Sequence, residues 1–225
     1  MMRLSIIVPA LEEAAAITAT LAALQPLRAR GHEVIVVDGG SRDATLLIAR
    51  LLADRAFAAP PGRALQMNAG ARKANGDVLL FLHSDSLLPE RAAAAIAQAL
   101  AAGARWGRFD VTIRGRPRIL RLVARMMNLR SRLTGIATGD QGMFVERGLF
   151  EQVGGFAAIP LMEDVALSKS LKRAAGHPAC LAERIVTSGR RWETRGPWRT
   201  ILTMWRLRLA YALGADPARL ARDYR

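Results

Sequence analysis

Three short polar segments each follow a run of branched apolar residues, as the loop after a buried strand does. They are residues 9–12 (PALE), 38–41 (DGGS) and 83–85 (HSD). Ligands of open parallel sheets bind beyond the carboxyl ends of the strands, so three polar segments at one sheet edge predict a binding site. Each segment alone would also suit a turn or a helix N-cap, and the prediction therefore depends on their occurring together.

The carboxylates in these segments suggest what would bind. Asp38 can accept hydrogen bonds from a base N–H or a ribose hydroxyl. Asp85 can hold a hard divalent cation, which would neutralise a diphosphate. His83 alone is weaker evidence for a binding site, because an imidazole at the polar edge of a sheet can simply hydrogen-bond to its neighbours. The turn after the first strand lacks the G-x-G-x-x-G glycines and no Walker lysine motif occurs, which disfavours a nicotinamide or flavin dehydrogenase and a P-loop NTPase.

Alternating strand and helix patterns position these segments. Short apolar runs predict strands, and longer Ala- and Leu-rich segments predict helices between them. The predicted strands are 4–8, 33–37, 56–59 and 78–82, and the predicted helices are 13–29, 43–52, 63–74 and one that starts at Pro89. This order predicts an α/β fold, with a mostly parallel central sheet and helices on both of its faces.

The composition is that of a globular protein with an unusual charge. Of the 225 residues, 51% are hydrophobic and 23% charged, which predicts a large core. The net charge is +14, and residues 113–225 hold most of it, with 21 basic and 9 acidic side chains against 12 and 10 in residues 1–112. A basic second half suits nucleic acid, an anionic membrane or a phosphorylated substrate, and composition does not choose among them.

Three further features bear on location. The single cysteine, Cys180, excludes an intramolecular disulfide and suits a reducing compartment. No segment approaches the roughly 20 apolar residues of a membrane-spanning helix. The apolar run at the start is interrupted by Pro9, so we expect a first strand there and not a secretory signal. These features predict a cytoplasmic protein.

Five segments in the expected order resemble those of family 2 glycosyltransferases, whose nucleotide-sugar-binding fold is called GT-A. They are SIIVPALEE at 5–13, VIVVDGGSRDAT at 34–45, GRALQMNAGARKANGDVLLFLHSD at 62–85, TGDQGMF at 138–144 and MEDVALSKSLKR at 162–173. The chain most resembles a small stand-alone bacterial branch with the HSD and GRALQMN variants. That branch is labelled, from gene context, as associated with arsenosugar biosynthesis. A more distant similarity is to carotenoid-acid glycosyltransferases.

The resemblance implies a role for each residue that matches a family motif. Pro9, Glu12 and Asp38 fall where the family lines the base and ribose pocket, and Arg63 falls where a basic side chain approaches the nucleotide. The candidates for the acceptor site are Asp140, Gln141, Glu163, Arg191 and Trp192. Asp140 is equally well explained as a turn aspartate.

The chain departs from the family pattern at two motifs. Asp85 matches the last acid of the D-x-D metal motif, but the first acid is His83 here. The resemblance therefore implies Mn²⁺ or Mg²⁺ held by Asp85 alone or with help from the imidazole. The Q-x-x-R-W motif of processive synthases appears as SGRRW at 188–192, with Ser188 in place of glutamine. This difference favours transfer of a single sugar over polymer synthesis.

Asp164 matches the acid proposed as the general base in inverting members of the family. An acceptor hydroxyl is a poor nucleophile unless a carboxylate removes its proton during the attack. The departing nucleoside diphosphate gains negative charge, which a cation and nearby arginines would stabilise. Without the resemblance, acids at 163 and 164 would more simply favour the dipole at the start of a helix.

Two segments of the basic second half are amphipathic at the helical period. Their apolar stripes consist of Ile119, Leu122, Val123, Met126, Leu129 and Leu133 in the first, and Trp198, Ile201, Leu202, Trp205, Leu209 and Leu213 in the second. A stripe edged by arginines either packs on the protein core or lies in an anionic membrane interface. We favour the core for 118–133 and leave both open for 197–213. Nothing favours nucleic-acid binding, because reader motifs and zinc spacing are missing and only 5% of residues are aromatic.

The sequence thus predicts a glycosyltransferase domain over residues 1–195 and an amphipathic helical extension over 196–225. The expected reaction is inverting transfer of one sugar from a nucleotide sugar, in our interpretation a UDP-sugar, to an acceptor hydroxyl. A lipid-linked or small hydrophobic acceptor and peripheral contact with the cytoplasmic face of an anionic membrane are further expectations. Two other hypotheses stay open, namely a GT-A-like membrane-surface protein without catalysis and a nucleotidyltransferase.

Overall fold

A computed structural model describes residues 2–224. Its strands are β1 (Leu4–Ala10), β2 (Glu33–Asp38), β3 (Arg55–Ala58), β4 (Val78–Phe81), β5 (Ser86–Leu87), β6 (Trp106–Arg114), β7 (Met143–Glu146) and β8 (Ala179–Ser188). Its α-helices are α1 (Ala14–Ala29), α2 (Thr45–Leu52), α3 (Arg63–Lys73), α4 (Ala92–Ala101), α5 (Ile119–Thr134), α6 (Arg147–Gln152), α7 (Glu163–Ala175), α8 (Arg190–Arg195), α9 (Pro197–Ala212) and α10 (Pro217–Tyr224). A 3₁₀ helix spans Gly139–Gln141.

The strands form one sheet in the order β3-β2-β1-β4-β7-β6-β8-β5. The first four strands along the chain pair in parallel, with Ala10 opposite Asp38 and Ile7 opposite Phe81. Every residue of β1, β2 and β4 is buried, because helices cover both faces of this half of the sheet. The strands and helices predicted for the first half of the chain are confirmed to within a few residues.

The other half of the sheet mixes strand directions. β7 runs antiparallel to both β4 and β6, and β5 runs antiparallel to β8, whereas β6 and β8 are parallel. Four of the seven pairings are therefore parallel, which confirms the predicted α/β fold with a mostly parallel sheet. The antiparallel β7 lies beside β4 and brings the segment before it, the 3₁₀ helix, to the end of β4.

Helix α5 buries a different face from the one predicted. Its buried residues are Leu120, Ala124 and Ser131, whereas the predicted stripe is largely in solvent, with Leu122, Met126, Leu129 and Leu133 all exposed. The prediction that this stripe packs on the core is wrong. The reason lies in β6, where the fully buried guanidinium of Arg108 bonds Ser131 Oγ and the Asn128 carbonyl, so the helix turns its small and polar side toward the sheet.

Helix α9 likewise leaves its predicted stripe in solvent. Trp198, Leu202, Trp205, Leu209 and Leu213 are exposed, and the helix packs through Leu207 instead. The alternative that the stripe of 197–213 is core is therefore wrong for these five side chains. No helix within residues 2–224 is long and apolar enough to cross a membrane.

The last two helices pack against the start of α7. Leu207 of α9 and Leu220 of α10 form a small apolar cluster with Leu161, Met162 and Val165. Because Asp164 lies between two members of this cluster, the C-terminal helices help to fix the position of its backbone. The boundary predicted at residue 195 stays a prediction.

Candidate active site

The predicted site residues converge beyond the carboxyl ends of β1, β2 and β4. A small cavity there is lined by Pro9 of β1, by His83 after β4, by Gly139 of the 3₁₀ helix and by Asp164 of α7. These four residues come from distant parts of the chain. The parallel pairing of β1 with β4 and the antiparallel pairing of β4 with β7 bring them together.

The loops after β1 and β2 are joined to each other by hydrogen bonds. The Glu12 N–H donates to Ser41 Oγ at 2.8 Å, and the Arg42 N–H donates to Glu12 Oε1 at 2.7 Å. Glu12 has a φ of +54°, in the left-handed region that non-glycine residues seldom adopt. Such a conformation persists where surrounding bonds fix it, and it is frequent at ligand sites. The two loops thus form one unit at the sheet edge.

Asp38 is the buried last residue of β2, and its carboxylate organises the turn that follows. It accepts hydrogen bonds from the Gly40 and Ser41 N–H groups, both at 2.9 Å, and from the Ser41 hydroxyl. Asp38 therefore does form the turn, which was one of the two roles that the sequence allowed for it. Contact of Asp38 with a base stays a prediction.

Gln66 of α3 is a site residue that the sequence reasoning missed. Its buried Nε2 donates to the Ala10 and Val37 carbonyl oxygens, both at 2.8 Å, and so ties the ends of β1 and β2 together. A side chain added at Gly39 would lie only 3.2 Å from the Gln66 amide, which explains a glycine at this position. The sequence feature that could have revealed Gln66 is a polar residue on the buried face of the helix that GRALQMN begins.

Arg63, the first residue of α3, lies among the acidic groups of the site. Its Nε is 2.9 Å from Glu163 Oε1, and its Nη1 is 3.5 Å from His83 Nε2. Burial works to lower the pKa of Arg63, but the charges of Glu163, Asp164 and Asp140 outweigh it and raise that pKa. The guanidinium therefore stays charged and offsets part of the negative charge of the cleft.

Glu163 is buried beneath Arg63, with only 2% of its surface exposed. Burial raises its pKa, and the charge of Asp164 adds to this effect while Arg63 opposes it. Its Oε2 atom is buried and has no hydrogen-bond partner among residues 2–224. Because Glu163 lies under the guanidinium, its evident role is to hold Arg63, and its predicted contact with an acceptor stays untested.

His83 and Asp140 form the floor of the cleft. The imidazole Nδ1 is 3.2 Å from Asp140 Oδ1, and a side chain at Gly139 would overlap the ring. Burial raises the pKa of Asp140, but the hydrogen bond from His83 and the charges of His83, Arg63 and Arg191 outweigh it and lower that pKa. Both ring nitrogens of His83 thus have partners, so a metal ion would have to displace one of them.

Asp164, the second residue of α7, is turned toward the 3₁₀ helix. Its Oδ2 accepts the Gly139 N–H at 2.9 Å, and its Oδ1 accepts the Val165 N–H at 2.7 Å. The N-cap of α7 is Met162, which has a φ of +68°, and no side chain caps this helix. Asp164 lies in the first turn of α7, where an acid favours the helix dipole, and its carboxylate also bridges two segments at the wall of the cavity.

The remaining acceptor-site candidates lie in different settings. Gln141 is fully buried, and its Oε1 accepts the Thr138 N–H at 3.2 Å, so it shapes the loop. Trp192 packs on the apolar cluster between β6 and α5. Arg191 lies over the Tyr224 ring at 4.5 Å, and burial together with the charge of Arg63 lowers its pKa. Of these three, Arg191 is the one whose charge acts on the cleft.

Asp85 follows β4 and is half-buried near Arg191. No residue within 2–224 donates a hydrogen bond to its carboxylate, so both oxygens are available to a ligand. The described part of the chain contains no group of three or more His, Cys, Asp or Glu side chains that could hold a metal ion. A cation at Asp85 would therefore need ligands from a bound molecule or from water.

Comparison with known proteins gives one family and many structural neighbours. Residues 5–154 match the family described as glycosyl transferase family 2. No curated protein matches the chain significantly in sequence. TarS 1-349 from S. aureus in complex with UDP-GlcNAc is similar with a TM-score of 0.66 and 20% identity over 83% of this chain and 58% of that one.

Two further solved structures are similar over most of this chain. The mannosyltransferase PcManGT from Pyrobaculum calidifontis, in complex with GDP-Man and Mn²⁺, has a TM-score of 0.64 and 23% identity over 93% of this chain and 61% of its own. Glucosyl-3-phosphoglycerate synthase from Mycobacterium tuberculosis, with Mn²⁺, UDP and glucosyl-3-phosphoglycerate, has a TM-score of 0.59 and 22% identity over 83% and 71%.

The chain spans only about 60% of the length of TarS 1-349 and of PcManGT. At such identities these likenesses show the fold alone, which is the predicted GT-A fold. The family match covers two thirds of the chain and includes the loops that carry Glu12, Asp38, Asp85 and Asp140. The chain therefore belongs to glycosyl transferase family 2 and has the GT-A fold.

Proposed function

We propose that the protein transfers one sugar from a UDP-sugar to an acceptor hydroxyl with inversion at the anomeric carbon. One observation carries this proposal. Asp164 lines the same cavity as Pro9 and His83, so the suggested base and the suggested nucleotide-binding edge share one cleft. Transfer from a nucleotide sugar agrees with the family membership and with neighbours in complex with UDP-GlcNAc and GDP-Man.

The donor would bind across the ends of β1 and β2. The joined loops of Glu12 and Asp38 would hold the base and ribose, and Arg63 and Arg191 would face the diphosphate. The acidic groups of the cleft raise the pKa of Arg63, whereas burial and the charge of Arg63 lower the pKa of Arg191. Positive charge fixed near a departing diphosphate stabilises the charge that develops on it.

A divalent cation, Mn²⁺ or Mg²⁺, would be held by Asp85. The free oxygens of this carboxylate suit a hard cation, whereas the imidazole of His83 is engaged on both sides. When bound, the cation supplies Lewis-acid neutralisation of the diphosphate. Two neighbours are described with Mn²⁺, which supports this choice.

The chemistry requires one proton acceptor. The acceptor oxygen would attack the anomeric carbon from the side opposite the diphosphate, forming the new C–O bond while the bond to the diphosphate oxygen breaks. The hydroxyl proton would pass to Asp164, and the nucleoside diphosphate would leave with the bonding electrons. The Gly139 and Val165 N–H groups would hold the carboxylate in place, because each of its oxygens accepts one of these bonds.

The protein would work at the surface of an anionic membrane. Eight large apolar side chains of α5 and α9 are exposed, as is Leu213 directly after α9, which is more apolar surface than a solvated helix face normally carries. The same helices hold exposed arginines, including Arg121, Arg125 and Arg199. Apolar side chains beside basic ones suit an interface of anionic lipid, where each basic residue adds about 1 kcal/mol of attraction.

A thermal-shift screen tests the donor assignment. UDP and UDP-sugars should raise the unfolding midpoint, more so with Mn²⁺, and CMP should not. Asp38→Ala should reduce the shift with or without the metal, and Arg50→Gln, an exposed change on α2, should leave it unchanged. A protein that binds none of the nucleotide sugars under any metal condition would contradict the proposal.

A further inference from the structure

Arg130 of α5 holds a buried positive charge that the protein itself does not satisfy. Its Nη2 atom is buried and has no hydrogen-bond partner, and its Nη1 makes only a long contact of 3.5 Å to the Ile136 carbonyl oxygen. No carboxylate within residues 2–224 forms an ion pair with it. A buried guanidinium nitrogen is costly to leave without an acceptor, so Nη2 of Arg130 favours an acceptor atom from outside the described residues.

Arg208 of α9 is a second half-buried guanidinium of the same kind. It forms no ion pair or side-chain hydrogen bond with any residue that the structure describes. Burial lowers the pKa of Arg208. Burial and the nearby charge of Arg208 lower the pKa of Arg130 to about 10. The pKa of Arg130 lies well above neutral pH, so this group is charged, and the charge of Arg208 acts against it.

The two arginines lie near Asp164. Leu207, which precedes Arg208, packs in the same apolar cluster as Met162 and Val165, the neighbours of Asp164 in sequence. Ile136, whose carbonyl Arg130 contacts, belongs to that cluster too. Asp164 also acts electrostatically on both guanidiniums. Asp140 acts on Arg130 as well, but neither carboxylate forms an ion pair with Arg130 or Arg208 among the described residues.

We propose that Arg130 and Arg208 bind a phosphate group carried by the acceptor, beside the hydroxyl that Asp164 deprotonates. This inference rests on the proposed function, because it names the acceptor class for the same site. A phosphate monoester has three acceptor oxygens, enough for two guanidinium forks, and about two negative charges. The donor diphosphate is already served by Arg63, Arg191 and the cation that we assign to Asp85.

The surroundings of the pair favour the phosphate of a lipid. On α5, Met126 and Leu133 are the i−4 and i+3 neighbours of Arg130, and both are exposed. On α9, the exposed Trp205 is the i−3 neighbour of Arg208. Apolar side chains therefore stand at the outer side of each guanidinium. This arrangement suits a head group that carries both the phosphate and the acceptor hydroxyl and whose acyl chain continues into the membrane.

The experiment measures phosphate binding with the donor site filled. Glycerol 3-phosphate is titrated into the protein at saturating UDP and Mn²⁺, using the wild type and the variants Arg130→Gln, Arg130→Lys, Arg208→Gln and Arg50→Gln. The wild type and Arg50→Gln should bind it with equal affinity. Either glutamine variant should bind it about tenfold or more weakly, because a charge-assisted hydrogen bond is lost. The affinity for UDP should be the same in all five proteins.

A second arm separates a lipid from a soluble source of the phosphate. Phosphatidylcholine vesicles that contain phosphatidic acid, a monoester, are compared with vesicles of equal surface charge that contain phosphatidylglycerol, a diester. A lipid acceptor predicts tighter binding of the wild type to phosphatidic acid and no such preference in Arg208→Gln. A preference for glycerol 3-phosphate alone keeps the phosphate site and assigns it to a water-soluble acceptor.

Three results would overturn the inference. They are equal phosphate affinity in all the variants, no binding of either phosphate probe to the wild type, and loss of UDP affinity in the arginine variants, which would assign the pair to the donor. If Arg130→Gln does not fold, Arg208→Gln carries the same test. If UDP itself fails to bind the wild type, the proposed function fails, and the phosphate titration without UDP still reports on the pair.

Discussion

Arg63 and Glu163 form an ion pair, Nε to Oε1 at 2.9 Å, that joins the first residue of α3 to the first residue of α7. Helix α3 also carries Gln66, which ties the nucleotide edge of the sheet, and α7 carries Asp164. The pair therefore links the element that would hold the donor to the element that would hold the base. Because Arg63 is half-exposed while Glu163 is buried, the guanidinium faces the cleft and the carboxylate supports it from below.

Glu163→Gln should lower turnover more than it lowers stability. The amide keeps the size of the side chain but removes the charge that holds Arg63. We expect kcat to fall by about tenfold or more and the free energy of unfolding to change by about 1 kcal/mol or less, since a pair with one half-exposed partner adds little. Glu146→Gln breaks a comparable pair with Arg105 outside the cleft and is the control. Equal turnover in the two variants would show that Glu163 has no role in the active site.

Asp85→Asn should abolish the metal-dependent part of UDP affinity. An amide oxygen is a much poorer ligand for Mn²⁺ than a carboxylate oxygen, so the cation would no longer bridge protein and diphosphate. Calorimetric titration of UDP with and without Mn²⁺ measures this difference. Glu90→Gln, at an exposed position a few residues further on, should behave as the wild type. If Asp85→Asn retains the full response to Mn²⁺, the metal assignment fails.

Replacing both Trp198 and Trp205 by serine should prevent binding to anionic vesicles. Both side chains are about 70% exposed, so their removal takes apolar surface from the membrane face and not from the core. Vesicle flotation should show wild-type binding that needs anionic lipid and weakens with salt. The matched control is Leu47→Ser with Leu51→Ser, two exposed leucines on α2. A wild type that stays unbound at low salt would exclude this role for the stripe.

His32 should make the fold less stable in mild acid. Its Nδ1 accepts the Leu4 N–H at 3.2 Å, and burial together with the charges of Arg30 and Arg3 lowers its pKa. The unfolded chain, with a pKa near 6.5, binds the proton first, so stability is lost as pH falls from about 6.5 toward the lowered folded pKa. For one proton the slope cannot exceed about 1.4 kcal/mol per pH unit.

Urea unfolding between pH 7 and 5 measures this slope. Wild type and His177→Gln, a change at an exposed histidine, should lose stability alike, whereas His32→Gln should lose less. If the three proteins show the same pH dependence, His32 is not protonated differently in the folded and unfolded chains.

The sequence predicted the first half of the fold well because its signals are local. β1, β2 and β4 are continuous apolar runs buried on both faces, and the polar loops after them follow directly. The strands of the second half were not predicted. β8 is mostly half-exposed, so its pattern is weak, and β7 is only four residues long.

The error at α5 has a physical cause that no helical pattern reveals. Arg108 is fully buried in β6 and pairs with Asp110, so the helix above it presents Ser131 and the Asn128 carbonyl to that polar interior. The strongest apolar stripe was therefore not the buried one. Arg130 and Arg208 were also missed, because only tertiary packing, such as that of α9 against α7, distinguishes these half-buried arginines from the exposed ones.

Asp164→Asn tests the central claim most directly. Asparagine keeps an oxygen that can accept the Gly139 N–H but cannot take the proton of an acceptor hydroxyl. The measurement pairs turnover, with whichever nucleotide sugar the screen identifies, with the affinity for UDP and the unfolding midpoint. A base at Asp164 predicts a fall in kcat of about 100-fold or more, with unchanged UDP affinity and unfolding midpoint. Near-wild-type turnover in the folded variant would contradict the account and leave Asp164 as a structural link between α7 and the 3₁₀ helix.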